Sequence, residues 1–377
     1  VGVNQIADYT QKCGCERWLP VRLETIGNSM TLVVAGIAVA QRNSLDSAFI
    51  GLALTYAIDI TGVLSWVIRI VSELESHMVS VERIEEYTGL PSEEDTGALA
   101  THGAVEDPPA QWPAEGAINF EKLEMRYRDE LPLVLKGVSF DVRAGHKVGI
   151  CGRTGSGKSS LLVALWRICE PAAGRILLDG VDISKVSLKR LRSSITCIPQ
   201  DPILFSGTIR YNLDPFDEYS DDKLWHALEH VKCKEFISRQ GLGLNAPVEE
   251  FGANYSAGQR QMLCLARAML RDTRVVCLDE ATASVDTETD ENMQKVIAQE
   301  FSACTILTIA HRINTIIEND IIVCLDAGKL VAADSPAAML ADPKSIFSQL
   351  VDETGEASAR NLRRRAISAE TARARVD

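Results

Sequence analysis

Gly152-Arg153-Thr154-Gly155-Ser156-Gly157-Lys158-Ser159 fits the pattern G-x-x-x-x-G-K-[ST], and its flanks suit it. The apolar run Lys147-Val148-Gly149-Ile150-Cys151 reads as a buried strand, and Ser160 to Trp166 as a helix. Glycines 152, 155 and 157 let backbone N–H groups turn inward around phosphate oxygens, and the helix N-terminus adds partial positive charge. Lys158 can reach the outer phosphates of a nucleoside triphosphate, and the Ser159 hydroxyl can ligate Mg²⁺. Thr154, Ser156 and Ser160 count with the loop as nucleotide-binding residues. The pattern predicts an α/β domain of the P-loop type.

A second strand, Arg274-Val275-Val276-Cys277-Leu278-Asp279-Glu280, ends in adjacent carboxylates. Neighbouring strand residues point to opposite sides, so the two acids can have separate tasks. Asp279 is placed to hold the Mg²⁺ shell, and Glu280 to polarise a water in line with the terminal phosphate. Standing alone, this strand would read as one ending in a solvated acidic turn.

Between these elements lies Asn254-Tyr255-Ser256-Ala257-Gly258-Gln259-Arg260-Gln261, leading into the helical run Met262–Leu270. This segment resembles the signature of ATP-binding-cassette (ABC) proteins, whose usual form is Leu-Ser-Gly-Gly-Gln. Ser256, Gly258 and Gln259 match, while Tyr255 and Ala257 depart from it. Ser256 sits where a helix cap belongs and can offer its hydroxyl to a phosphate held by a partner domain.

The resemblance implies the remaining parts in order: Tyr127 stacking on adenine, Gln200 sensing Mg²⁺ and water, Ala283-Ser284-Val285-Asp286 crossing a dimer interface, and His311 contacting the terminal phosphate. It covers residues 117–355. It implies a RecA-like core, an antiparallel β subdomain and an α-helical signature subdomain, with ATP and Mg²⁺ as cofactors. Two such cassettes close head to tail, so the partner is a first nucleotide-binding domain. This cassette's own site is complete, whereas the departures in its signature fit a poorly hydrolysing partner site.

Residues 25–40 and 48–71 are two apolar runs, the second with only Asp59 and Arg69 charged. Each can cross a bilayer of about 30 Å, the first if its helix starts near Leu19. The polar link 41–47 makes them an antiparallel pair. Lys12, Arg17, Arg22, Arg69 and Arg83 lie at the outer ends, against Arg42 in the link, which places both ends in the cytoplasm. The expectation is an integral membrane hairpin over residues 1–87, in a plasma or vacuolar-type membrane, with the cassette in the cytoplasm.

Arg17–Glu24, Trp66–Arg69 and Ser80–Tyr87 resemble the last two membrane helices of subfamily C, the multidrug-resistance-associated proteins. On that reading the chain is the C-terminal piece of a transporter whose remaining membrane helices are its partners. Charges at membrane depth usually face a cavity, which makes Arg22, Asp59 and Arg69 pathway candidates. Arg22, Trp66 and Arg69 match family positions that contact organic-anion substrates. Snorkelling arginines and an interfacial tryptophan are the competing explanation. The function implied is ATP-driven export of amphipathic organic anions, such as glutathione conjugates. Alternatives are an ATP-gated channel or channel-regulating subunit, and, least favoured, a soluble ABC ATPase.

Residues 88–116 hold six acids, no Lys or Arg, and four prolines, which reads as a flexible acidic linker. Residues 356–377 carry six arginines and read as a basic tail, solvated by default or touching anionic lipid. Ser368 follows Arg365 by three residues, a spacing open to phosphorylation. The net charge of −13 argues against nucleic-acid binding. The ten cysteines form no C-x-x-C pair, and those in apolar runs read as small buried hydrophobes in a reducing compartment.

Overall fold

The computed structural model describes residues 2–41, 46–90, 93, 108–239, 241–279, 287–310 and 312–373. It divides into two units, Val1–Pro91 and Ser92–Asp377.

The first unit is a pair of long helices, α1 (Gly2–Ala40) and α2 (Ser47–Thr88). Asp46 caps α2, its carboxylate accepting the Ala48 N–H at 3.3 Å. The two helices touch along one narrow seam. Gly27 is buried on α1, flanked by half-buried Leu23, Thr31, Val34 and Ala38. Ala57 is buried on α2, flanked by Ile50, Leu54, Ser65 and Ile68. The spacing is helical, and the buried positions carry small residues that let backbones approach. Outside the seam nearly every apolar side chain among the described residues is exposed, including Leu32, Val39, Phe49 and Ile58. Val21–Ala40 and Ser47–Thr88 are both long and apolar enough to cross a membrane. At 42 residues α2 is about 63 Å long, far more than a bilayer core, and its charged second half runs past the apolar stretch.

The second unit follows from three hydrophobic patterns. Strands β1 (Ile118–Met125), β2 (Leu135–Val142), β4 (Ala173–Leu178) and β5 (Val181–Asp182) alternate or half-alternate and form an antiparallel sheet in the order β2-β1-β4-β5. The continuously apolar strands form the other sheet. They are β3 (Lys147–Cys151), β6 (Ile195–Ile198), β9 (Val275–Asp279), β10 (Thr305–Ile309) and β11 (Ile321–Asp326). Its order is β12-β11-β3-β10-β9-β6, with β12 (Lys329–Asp334) as an antiparallel edge. All five residues of β10 are buried, as expected for the centre of a parallel sheet covered on both faces.

The helical part lies between β7 (Gly207–Thr208) and β9, its first three helices inside the long connection from β7 to its antiparallel partner β8 (Pro247–Val248). It holds α5 (Ile209–Leu213), α6 (Asp221–His230), α7 (Lys234–Arg239) and α8 (Ala257–Leu270), packed on Leu224, Leu228, Ile237, Leu263 and Leu265. The remaining helices are α3 (Lys158–Leu165), α4 (Leu188–Ser194), α9 (Thr287–Glu300), α10 (Ile313–Ile316), α11 (Pro336–Ala341), α12 (Ile346–Asp352) and α13 (Glu356–Arg373). The expected three-part architecture is therefore present.

Lys147 ties the start of β3 to the far end of α9. Its ammonium donates to the carbonyls of Phe301 and Ser302, both at 2.9 Å, and of Cys304. Those carbonyls face the cation at a helix C-terminus, and burial lowers the Lys147 pKa.

The tail departs from its solvated reading. Helix α13 is docked: Ala359, Leu362 and Ala366 are buried in one core with Phe347 and Val351 of α12. Its arginines are consumed locally. Arg363 donates to the Leu340 carbonyl at 3.1 Å and pairs with Asp352 at 2.9 Å. Arg365 pairs with Glu318 at 2.8 Å, and Arg373 with Asp320 at 2.7 Å. Most of the acidic linker lies outside the described residues, but Glu93 forks onto Arg192 at 2.6 and 2.9 Å. That hydrogen-bonded pair lowers the Glu93 pKa.

Candidate functional site

The sheet brings the sequence motifs to one edge. Ile309 at the end of β10 pairs on one side with Ile150 of β3 and on the other with Asp279 of β9. On the far side of β9, Leu278 pairs with Ile198 of β6, two residues before Gln200. The carboxyl ends of β3, β10, β9 and β6 thus form one row. In α/β sheets that rim is where ligands sit. Glu280, His311 and the segment Ala283–Asp286 continue from these strands and lie outside the described residues.

The loop after β3 is tightly folded. At Gly152, φ is +148°, and an added Cβ would lie 2.1 Å from the Leu325 carbonyl oxygen and 2.7 Å from Ser156 Oγ. Gly157 caps α3 with φ +100°. The Lys158 ammonium folds back over the loop, donating to the carbonyls of Gly152 at 3.0 Å and Arg153 at 3.1 Å. Lys158 and Ser156 are buried, and Ser156 Oγ has no hydrogen-bond partner among the described residues. Thr154, Gly155 and Ser159 face solvent. A cradle with left-handed glycines, a third free ammonium proton and an unspent buried hydroxyl suits a group rich in acceptor oxygens.

Tyr127 stands beside this loop. Its hydroxyl is 3.0 Å from Ser160 Oγ, and its ring is half exposed. Gln200 is exposed at the row, and Asp279 is half-buried.

The signature segment explains its own departures. Ser256 Oγ accepts the Gln259 N–H at 3.2 Å, while Gln259 Oε1 accepts the Ser256 N–H at 3.0 Å, a reciprocal capping box. Among the described residues the Ser256 hydroxyl donates to no acceptor, which leaves its proton to donate outward. Tyr255 is buried, edge-on to Phe236 at 6.1 Å, with its hydroxyl donating to the Pro247 carbonyl at 3.2 Å. It fills a core position as a leucine would, with its polar tip satisfied. Ala257 opens α8 in helical conformation, where no glycine is needed.

Sequence reasoning missed Gln261. It is 1% exposed, on α8, and donates to the Pro199 carbonyl at 3.1 Å. The available signal was a polar residue on the apolar face of an amphipathic helix. Burial also pushes the neighbouring Cys197 thiol up to about 12, so it is neutral.

In the helix pair, Arg22 lies over the Trp18 ring at 5.1 Å, and Trp66 is 64% exposed. Arg22, Trp66 and Arg69 all lie outside the α1–α2 seam. The pair by itself does not join them in one contact.

Fold and loop geometry define an ABC transporter ATPase domain, and the family model described as ABC transporter matches residues 135–283. The chain is 47% identical over 345 residues to ATP-binding cassette sub-family C member 2 of Rattus norvegicus, covering 90% of this chain. It is 48% identical over 343 residues to multidrug resistance protein mrp-7 of Caenorhabditis elegans, again covering 90% of this chain. It is 46% identical over 364 residues to ABC transporter C family member 3 of Dictyostelium discoideum, covering 95%. The chain belongs to subfamily C of the ABC transporters, the multidrug-resistance-protein type. It spans 22% of the length of the rat and nematode relatives and 25% of the Dictyostelium one.

Proposed function

We propose that this chain supplies the ATP-hydrolysing site and two of the membrane helices of an exporter for amphipathic organic anions. The observation that carries the reading is the row of strand ends β3, β10, β9 and β6, which gathers the phosphate loop, Asp279 and the approach to Gln200 at one rim. Its partners are a first nucleotide-binding domain and further membrane helices, in a plasma or vacuolar-type membrane with the cassette in the cytoplasm.

ATP supplies the phosphoryl group whose transfer to water drives the cycle. The loop N–H groups and Lys158 bind and orient its phosphates, and Tyr127 stacks on the base. Ser159, Asp279 and Gln200 offer hard oxygens of the kind Mg²⁺ takes. Glu280 orients and deprotonates the attacking water, and His311 donates to the phosphate under attack. Ser256, Gly258 and Gln259 cap a phosphate held by the other cassette. Arg22 and Arg69 grip the anionic group of the substrate, and Trp66 its apolar body.

The test is ATP-dependent uptake of a glutathione conjugate into inside-out vesicles carrying the full-length transporter, with Glu280→Gln as control. Uptake that is lost in the control, with ATP still bound, supports the reading. Steady hydrolysis in that variant overturns the role of Glu280. ATP-dependent currents without uptake move the function to the channel class.

A further inference from the structure

Asp59 is the one acid within the apolar part of α2, residues 48–71. It sits on a definite face. Ala57, the buried residue of the seam with α1, precedes it by two residues, which is about 160° around the helix. Trp66 follows it by seven residues, two turns on, and returns to within about 20° of the same direction about 10 Å along the axis. Arg69 lies about 15 Å along and about 60° round from Trp66. Asp59, Trp66 and Arg69 are all exposed in this unit, and no hydrogen bond or ion pair engages Asp59 among the described residues. The face turned away from α1 therefore carries a carboxylate and an indole, and the guanidinium lies at its edge, about 120° round from Ala57.

A charge at membrane depth is costly against lipid and is kept where it meets water, a partner or a ligand. That turns this face towards the interior of the transporter. The carboxylate is of no use to an anionic group and would repel it. Its complement is a cation or a strong N–H donor.

Resting on the export reading above, we propose that Asp59 is the cation-accepting contact of the transport pathway. The transported class then carries an ammonium or similar charged donor, besides an anionic group and an apolar body. Asp59, Trp66 and Arg69 would take these three parts along about 15 Å of the helix, within about 80° of its circumference.

The experiment measures uptake by the full-length transporter in inside-out vesicles of two probes. One is the dinitrophenyl conjugate of glutathione, with its free ammonium. The other is the same conjugate acetylated on that nitrogen. The native protein is expected to prefer the first by about tenfold in kcat/KM, the scale of one charge-assisted hydrogen bond. Asp59→Asn should bring the ratio to about one, chiefly by losing the ammonium-bearing probe, and Asp59→Glu should restore the preference. An unchanged ratio in Asp59→Asn overturns the inference. So does equal loss of both probes at normal expression, which would make Asp59 a structural ion-pair member. If the native protein takes up neither probe while hydrolysing ATP, the export reading falls and this inference with it.

Discussion

Gln261 of the signature helix and Pro199, the residue before Gln200, are joined by a side-chain hydrogen bond of 3.1 Å to the backbone carbonyl. The bond ties the helical part of the cassette to the segment leading out of β6. Replacing Gln261 with Leu should cost about 1–2 kcal/mol in urea unfolding, since it removes a buried donor and leaves the carbonyl unpaired. It should also lower ATP turnover several-fold while leaving nucleotide affinity within about twofold. Unchanged turnover would reduce the bond to a structural tie.

Gly152→Ala places a Cβ against the Leu325 carbonyl oxygen at 2.1 Å, a backbone atom that no rotamer can move aside. ATP binding should weaken at least about tenfold, because the whole loop must shift to admit the methyl. Fluorescent-nucleotide titration checks this. Gly155→Ala is the comparison, since an added Cβ there meets nothing within 4 Å, although φ is +80°. It should fall between the native protein and Gly152→Ala.

Tyr255 fills a core site, so Tyr255→Leu should keep ATP turnover within about twofold and cost about 1 kcal/mol for the lost bond to the Pro247 carbonyl. Tyr255→Ser should cost several times more by emptying the site beside Phe236. Thermal unfolding separates the two. Large loss of turnover in Tyr255→Leu would assign the hydroxyl a role beyond packing.

Docking of α13 predicts a stability cost where a solvated tail predicts none. Leu362 is 1% exposed, and Leu362→Ala should destabilise by about 2–4 kcal/mol. Ile367→Ala, at a position 61% exposed on the same helix, should stay within about 0.5 kcal/mol. Equal, small effects would mean that the helix is detached in solution.

Burial pushes the thiols of Cys197 and Cys233 up to about 12, from 9.0 in the open chain. The folded protein keeps protons that the unfolded chain releases near 9. Their contribution is complete below that pH and is lost as pH rises towards 12. Stability measured in urea should decline across this window, and the decline should shrink in the Cys197→Ala, Cys233→Ala double variant. Thiolate absorbance should show both groups protonated at pH 10.

The features that the sequence disclosed are those written in local spacing. The phosphate loop, the cap at Ser256 and the two apolar runs each need only a few adjacent residues to specify them. What stayed hidden depends on distant partners. The arginines of α13 read as a solvated run because the acids that neutralise three of them lie on other elements, Asp352 on the preceding helix and Glu318 and Asp320 far away in sequence. Beneath them the small stripe Ala359, Leu362, Ala366 is too short to announce a buried face. Gln261 looked like one more polar helix residue until the segment leading out of β6, with Pro199, lay beside it. Tyr255 looked like a damaged motif and proves to be a packed side chain with a satisfied hydroxyl.

Strand β10 is bonded along both edges, to β3 and to β9, through a run of consecutive matched pairs. A residue inserted within Thr305–Ile309 would reverse the facing of every buried side chain after it and break the matched pairing with both neighbours. The sheet therefore acts as a jig with no adjustment. Single substitutions around the rim can tune this protein, but changes of length cannot enter through its central strand.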